Sequence, residues 1–272
     1  TVAEQFSFDR EGKLMAETIR RVPRPCGTTV TVAGLFESLP VRRADLRKRI
    51  RGQRQKLVKM MQGYAILCLG TQFNLSDVHS SKGNSNSKAK KKSKSGGNSG
   101  GVHIATSESS RTFEARTASI LGPKFLSGLA RIDVDLSGAL SKSPGDANGD
   151  ENANEKASRW RVTGLVSHAP SSPRPSSARD LQFFSVNGRP VDLPSASRVL
   201  GDVWRNFDPS PTRRRPACVL AFTLPGDAFD VNLSPDKREV MFAEGEAVED
   251  ALREGLVGLW SGQSEGRFAA NG

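Results

Sequence analysis

A chain of 272 residues with a hydrophobic share of 36% holds enough apolar side chains for one large domain or two ordinary ones. No run approaches the roughly 20 consecutive apolar residues of a membrane span, and Thr1 to Gln5 show neither the charged start nor the apolar block of a secretion signal. The net charge of +11 and pI near 10.0 predict a polyanionic partner. Six of those charges (Lys82, Lys88, Lys90, Lys91, Lys92 and Lys94) fall in residues 79–101, which hold no acid, so the rest of the chain is only moderately basic. Cys26, Cys68 and Cys218 are far apart and form no C-x-x-C pair, which argues against a zinc knuckle or disulfide framework and for a reducing compartment. With only His79, His103 and His168, imidazole ligands and general bases are scarce, and hydrolase chemistry built on them is disfavoured. The absence of an initiator Met leads to the expectation that the chain is cut from something longer.

Phe6 and Phe8 alternate with polar residues before Asp9-Arg10-Glu11-Gly12, which predicts a hairpin. Gly27 to Val32 is β-branched with period two and predicts a strand; Pro40 ends that region or opens a helix. From Val41 to about Ala65, Leu46, Ile50, Leu57, Met61 and Tyr64 recur at helical spacing, with nine Arg or Lys residues between positions 42 and 59 mostly on the other faces. Ile66 to Leu69 and Gln72 to Leu75 read as a strand that stops at a Lys/Ser insertion, about 79–101, with another strand near Val102 to Ala105.

After a change of composition at Thr106 to Ser110, Phe113 to Leu121 predicts a helix stopped by Gly122-Pro123. Strands are expected at Ala130 to Leu136, Trp160 to Val166 and Leu181 to Val186, separated by disordered loops at about 141–158 and 169–179. Val199, Leu200, Val203, Trp204 and Phe207 form one face of a helix entered through Asp192 and Pro194. Ala217 to Leu224 and Phe229 to Leu233 flank Pro225-Gly226-Asp227 as an expected hairpin, and Val248, Leu252, Leu256 and Leu259 mark a last helix. The order implies mixed α and β layers.

Gly97 to Gly101 matches G-x-S-x-G formally, but low-complexity surroundings lack the strand–turn–helix context of a nucleophilic serine. Ser87 to Lys94 reads as a nuclear import signal, a nonspecific DNA tether or a solvated spacer. The basic stretch from Arg42 to Lys59 rides on a predicted rigid element and is the better nucleic-acid candidate. Asn187-Gly188 supplies the tolerance for positive φ that a tight turn requires, leaving Arg189 just beyond a strand end, placed for a phosphate contact.

Three blocks in order, Gly27 to Arg43, Phe183 to Asp192 and Asp230 to Val240, together resemble the MutL family of DNA mismatch repair proteins, and Ser234 to Arg238 is most similar to its PMS-type subunit. The resemblance implies an α/β (α+β) chain: residues 1–107 as the tail of a GHKL ATPase sandwich, 108–262 as a transducer domain similar to the second domain of a small-subunit ribosomal protein, and 263–272 as a tail. It implies ATP as ligand, with Gly27 and Thr28 in the last of four nucleotide motifs and Lys237 reaching the γ-phosphate. Mg2+ and the water-activating glutamate belong to upstream motifs absent from this sequence, so the chain alone is expected not to hydrolyse ATP. The family's endonuclease motif belongs to a separate C-terminal region. The resemblance further implies double-stranded DNA as partner, contacted through Arg189; Arg42, Arg43 and Arg47 are the candidates that the basic stretch itself adds for that contact. It also implies a second MutL-family subunit, a mismatch-recognition protein of the MutS family, and the nucleus as location. Alternatives are the transducer of another GHKL ATPase such as a type II topoisomerase, or an RNA-binding or ribosomal-type module.

Overall fold

Asp9 folds the first hairpin around its own carboxylate, which accepts hydrogen bonds from the N–H groups of Glu11 at 2.8 Å and Lys13 at 2.9 Å. The strands it joins, β1 (Val2–Phe8) and β2 (Leu14–Pro23), pair antiparallel. A register shift between Gln5 and Ser7 is filled by Thr18, whose hydroxyl accepts from Ser7 N–H and donates to the Met15 carbonyl. The computed structural model describes residues 2–77, 102–107, 110–137, 160–170, 181–208, 215–230 and 238–269, with side chains of the last segment through 263. The chain divides into two compact units, Thr1–Gln53 and Arg54–Gly272.

In the first unit the expected strand at Gly27 to Val32 does not form. These residues are irregular, and Val30 and Val32 are exposed. β-Branched residues favour a strand only against a partner that satisfies their backbone groups, and among the described residues none pairs with this segment. Pro40 opens helix α1 (Pro40–Leu67). Its predicted apolar face is not a buried face over its whole length: Ile50 and Leu57 are exposed, and burial begins only at Gly63 and continues through Ala65, Ile66 and Leu67. Ile66 and Leu67, expected in a strand, are therefore the last turn of α1. A short apolar run has no periodicity of its own to distinguish the two.

The second unit is built on a five-stranded sheet. After the small pair β3 (Asn74–Ser76) and β4 (Val102–Ala105) come α2 (Phe113–Leu121), α3 (Pro123–Leu126), β5 (Leu129–Asp135), β6 (Arg161–Ser167), β7 (Gln182–Val186), β8 (Arg189–Val191), α4 (Pro194–Phe207) and β9 (Cys218–Thr223). The order across the sheet is β5-β6-β9-β7-β8, antiparallel at every junction except the parallel pair β7–β9, whose connection runs through α4. Two-residue strands β10 (Phe229–Asp230) and β11 (Met241–Phe242) pair with each other, and α5 (Gly245–Ala269) closes the described chain. The expected hairpin between β9 and β10 is thus replaced: Pro225-Gly226-Asp227 turns the chain away from β9, and β10 finds β11. The stretches expected to be disordered, 79–101, 141–158 and all of 169–179 but its first two residues, lie outside the described residues; Ala169, the first of those two, is buried.

Strand alternation sends neighbouring side chains into different layers. Phe184, Leu220, Val162 and Val166 join Val199, Leu200 and Trp204 of α4 and Val248, Leu252, Leu256 and Trp260 of α5 in the larger core. Phe183, Val219 and Leu165 join Ile66 and Leu67 of α1 and Phe125 of α3 on the other face. Trp204 and Trp260 meet edge to face at 5.2 Å between ring centroids, and Trp260 Nε1 donates to the Ser167 carbonyl at 2.9 Å. Two glycines set the spacing. A Cβ on Gly164, whose φ is +147°, would lie 2.0 Å from the Val219 carbonyl oxygen, and one on Gly255 would lie 2.3 Å from Val134 Cγ2.

The two faces of this unit differ in one respect: the smaller core contains a guanidinium. Arg116 of α2 is 1% exposed. Its Nε donates to the Ser110 carbonyl, Nη1 to Ala65 O at 3.4 Å, and Nη2 to Leu69 O and Thr71 O, each at 3.0 Å. α1 has no basic residue in its last turn, so Arg116 supplies from another helix both the donors and the positive charge that a helix C-terminus favours. Replacing it with methionine is expected to lower stability by about 3 kcal/mol or more, because several buried carbonyls lose their partner at once. Urea unfolding monitored by circular dichroism measures this, and a loss within experimental error would show that the carbonyls re-pair without the guanidinium.

Candidate functional site

β7 leaves the sheet through Asn187 and Gly188, with φ of 48° and 77°, the pair of positive values that a two-residue hairpin turn requires. Asn187 is fastened to the end of β9. Its N–H donates to Phe222 O at 2.9 Å, its Nδ2 donates to Leu224 O at 2.8 Å, and its Oδ1 accepts from Leu224 N–H at 2.9 Å. The Cys68 thiol, at the end of α1, donates to Gly188 O at 3.7 Å. Burial pushes this thiol's pKa up, against a smaller opposing pull from the Arg116 charge, so it stays a proton donor. The turn is thereby anchored on two sides, and Arg189, the first residue of β8, stands exposed beside it.

β8 is an edge strand, which is where Pro190 is tolerated. Beyond it, Asp192 N–H donates to Arg238 O at 2.8 Å, Arg238 Nη2 donates to Asp192 Oδ1 at 2.8 Å, and Asp192 bridges to Glu239 in parallel. The segment that follows position 237 is therefore tied to the strand that begins with Arg189. Lys237 itself lies outside the described residues.

The remaining sequence candidates belong to the first unit. Gly27 and Thr28 are exposed in an irregular segment, and Gly27 has a φ of +145° with open space where a Cβ would be. Arg42, Arg43 and Arg47 sit in the first two turns of α1, with Arg42 and Arg47 exposed and Arg43 half-buried; Arg43 and Arg47, four apart, share a helix face.

Within the basic stretch from Arg42 to Lys59, sequence reasoning did not foresee that Arg54 meets Asp77 and His103. Asp77, just after β3, receives Arg54 Nη2 and lies 2.8 Å from His103 Nε2, while Arg54 and His103 approach each other at 2.7 Å. Arg54, Lys59 and His103 line a groove of about 260 Å3. The Asp77 carboxyl is held at about 2, first by the Arg54 hydrogen bond and then by that of His103. Arg116, Asn187's side-chain role and the Asp192–Arg238 pair were missed as well. Only Arg116 left a signal: it stands three residues after Phe113 and four before Ile120, on the apolar face of its helix.

The described fold matches a crystal structure of the N-terminal domain of a DNA repair protein, with a TM-score of 0.73 and 24% identity, covering 96% of this chain and 69% of that one. Residues 147–260 match the family described as DNA mismatch repair protein, C-terminal domain. The chain is 33% identical over 260 residues to the DNA mismatch repair protein PMS1 of Arabidopsis thaliana, covering 96% of this chain and 24% of that protein. It is 27% identical to the mismatch repair endonuclease PMS2 of Mus musculus (96% and 27% covered) and 27% identical to the DNA mismatch repair protein MutL of Pseudomonas putida (93% and 33% covered). The chain belongs to the MutL-type family of DNA mismatch repair proteins, among its PMS-type members. It spans between about a quarter and a third of the length of these curated relatives.

Two measurements test the site. Arg189→Glu is expected to weaken duplex DNA binding at low salt and to flatten the slope of log K against log salt by about one unit. Fluorescence anisotropy across a salt series reads this, and an unchanged slope removes Arg189 from the interface. For Asp77, a carboxyl depressed from 3.8 to about 2 contributes stability that is complete above the unfolded value and is lost as pH falls through the folded one. Asp77→Asn should therefore flatten the fall of stability between pH 3.8 and about 2. An acid limb identical to that of the unsubstituted chain would deny the cluster any part in stability.

Proposed function

We propose that this chain is the part of a MutL-type protein that couples nucleotide state to duplex DNA during mismatch repair, joining the tail of a GHKL-type ATPase subdomain, residues 1–107, to a transducer domain, residues 108–262. The observation that carries the reading is the hydrogen-bonded frame around β8. The candidate DNA contact, Arg189, opens that strand, and the residue that follows the candidate nucleotide contact, Lys237, is bonded to Asp192 at its end.

The chemistry asked of each residue is simple. A lysine ammonium is a point charge with three donors, suited to the charge that develops on a transferring phosphoryl group. Arginine's planar fork suits phosphate oxygens, so Arg189, with Arg42, Arg43 and Arg47, would contact the DNA backbone without reading sequence. Gly27 and Thr28 would contribute backbone and hydroxyl donors to the ATP phosphates. Among the described residues, no group of three or more His, Cys, Asp or Glu side chains is arranged to hold a metal. The partners that follow from the reading are double-stranded DNA, a second MutL-family subunit and a MutS-family mismatch-recognition protein. The kinship with eukaryotic PMS1 and PMS2 proteins supports a nuclear location. No described helix is long and apolar enough to cross a membrane.

The test is ATP turnover by the longer protein that carries this chain together with the family's nucleotide motifs. Lys237→Ala should lower kcat by about 100-fold with folding intact, the scale seen when one preorganised donor to a developing charge is removed. Unchanged turnover would reduce Lys237 to a loop lysine and overturn the reading.

A further inference from the structure

The second half of α1 carries a row of hydrogen-bond donors. Gln55, Lys59 and Gln62 recur at about the spacing of one helical turn. With Arg54 and, from β4, His103, they line the groove of about 260 Å3. Asp77, just after β3, engages two of these residues at once: its Oδ2 accepts from Arg54 Nη2 and lies 2.8 Å from His103 Nε2. The Arg54 side chain is 50% exposed and that of Asp77 32%. Parting the pair therefore puts both charges in water and leaves no buried ion without a partner.

A carboxylate shares the features by which arginine recognises a phosphodiester: one negative charge and a pair of oxygens that match the guanidinium fork. Resting on the reading of duplex DNA as this chain's partner, the geometry points to a backbone-phosphate site at Arg54, Lys59 and His103, with Asp77 as its built-in competitor. While Asp77 is in place, the donors of Arg54 and His103 are spent on it. When a backbone phosphate enters beside Lys59, Asp77 turns out to water, and Arg54 Nη2–H and His103 Nε2–H pass from one oxyanion to the other. Arg54 has an anionic partner before and after the exchange. The amides of Gln55 and Gln62 suit further phosphate or sugar oxygens, so the site holds the duplex without reading its sequence. An exposed ion pair is worth little, so Asp77 trims the affinity of this contact and does not abolish it. A phosphate held against such a competitor is released sooner, which suits a protein that slides along duplex DNA.

The experiment measures the Kd of the longer protein for a short DNA duplex by fluorescence anisotropy, without nucleotide. The salt series is centred on about 0.1 M, where charges more than about 10 Å away are largely screened. Asp77→Asn, which keeps the size of the side chain, should lower Kd by about threefold to fivefold, the scale of one exposed ion pair. It should also steepen the slope of log K against log salt by about one unit, the mark of a strengthened phosphate contact that a loosened fold would not produce. Asp202→Asn is the control. It removes the same charge and releases Arg205 on α4, which packs on the opposite face of the sheet from α1, and should change Kd by less than about twofold. Adding Asp77→Asn to Arg54→Gln should change Kd by less than about twofold, because the competitor then has nothing to compete for. A gain no larger than that of Asp202→Asn, or one that persists without Arg54, overturns Asp77 as competitor and leaves DNA as the partner. Failure of the unsubstituted protein to bind the duplex overturns both.

Discussion

A buried cation, whose partners among the described residues are all carbonyl oxygens, holds the smaller core of the second unit together. An interior charge costs several kcal/mol unless its donors are all matched, and the end of a long helix leaves carbonyls that need donors. Arg116 cancels one liability with the other. Its guanidinium draws Ala65, Leu69, Thr71 and Ser110 to a single point, so the last turn of α1, the approach to β3 and the start of α2 have one mutual position. The apolar layer of Ile66, Leu67, Phe125 and Phe183 packs beneath that point. The Cys68 thiol, one residue past the helix, is thereby held where it reaches the Gly188 carbonyl.

The sheet turns this local order into placement of function. Alternation along β7 and β9 gives each face its own core, with α4 and α5 on one side and the end of α1 with α3 on the other. A sheet clamped from both faces is stiff at its centre and has freedom only at its rims. The rim beside β7 carries the arginine turn and the Asp192–Arg238 pair. Stiffness and freedom are therefore arranged along one strand: Asn187 is bonded to the neighbouring strand, and Asp192 to a segment outside the sheet proper.

What the sequence made legible followed local rules. The Asp9 hairpin, β5 to β7, α2 and α4 appear within a residue or two of their expected limits, because period two, period 3.6 and turn chemistry are short-range signals. Of the residues that mark α5, Val248, Leu252 and Leu256 are buried and Leu259 packs half-buried against the same core; Trp260, which the apolar spacing did not mark, is buried beside it and meets Trp204 edge to face. Ile66 to Leu67 and Gly27 to Val32 went astray for a common reason: their state depends on partners far away in sequence. The same holds for the site. Asn187-Gly188 announced the turn and Arg189, but no spacing announces that Asp192 pairs across 46 residues with Arg238. The Asp77 cluster likewise brings together residues from α1, the end of β3 and β4.

The strand order has a consequence for how the chain reaches this state. β9 is the last of the five strands to be synthesised, yet it lies between β6 and β7. Until Thr223 has left the ribosome, the antiparallel pairs β5–β6 and β7–β8 can each form but cannot join, and each keeps an open edge where β9 belongs. Closing the sheet means threading one strand into a gap bounded by two unlike neighbours, antiparallel on one side and parallel on the other. Such long-range pairing is slow, and the waiting edges are sticky. Nascent chains of this protein therefore pass through a window, from completion of α4 to emergence of β9, in which α4 has only part of its sheet to cover.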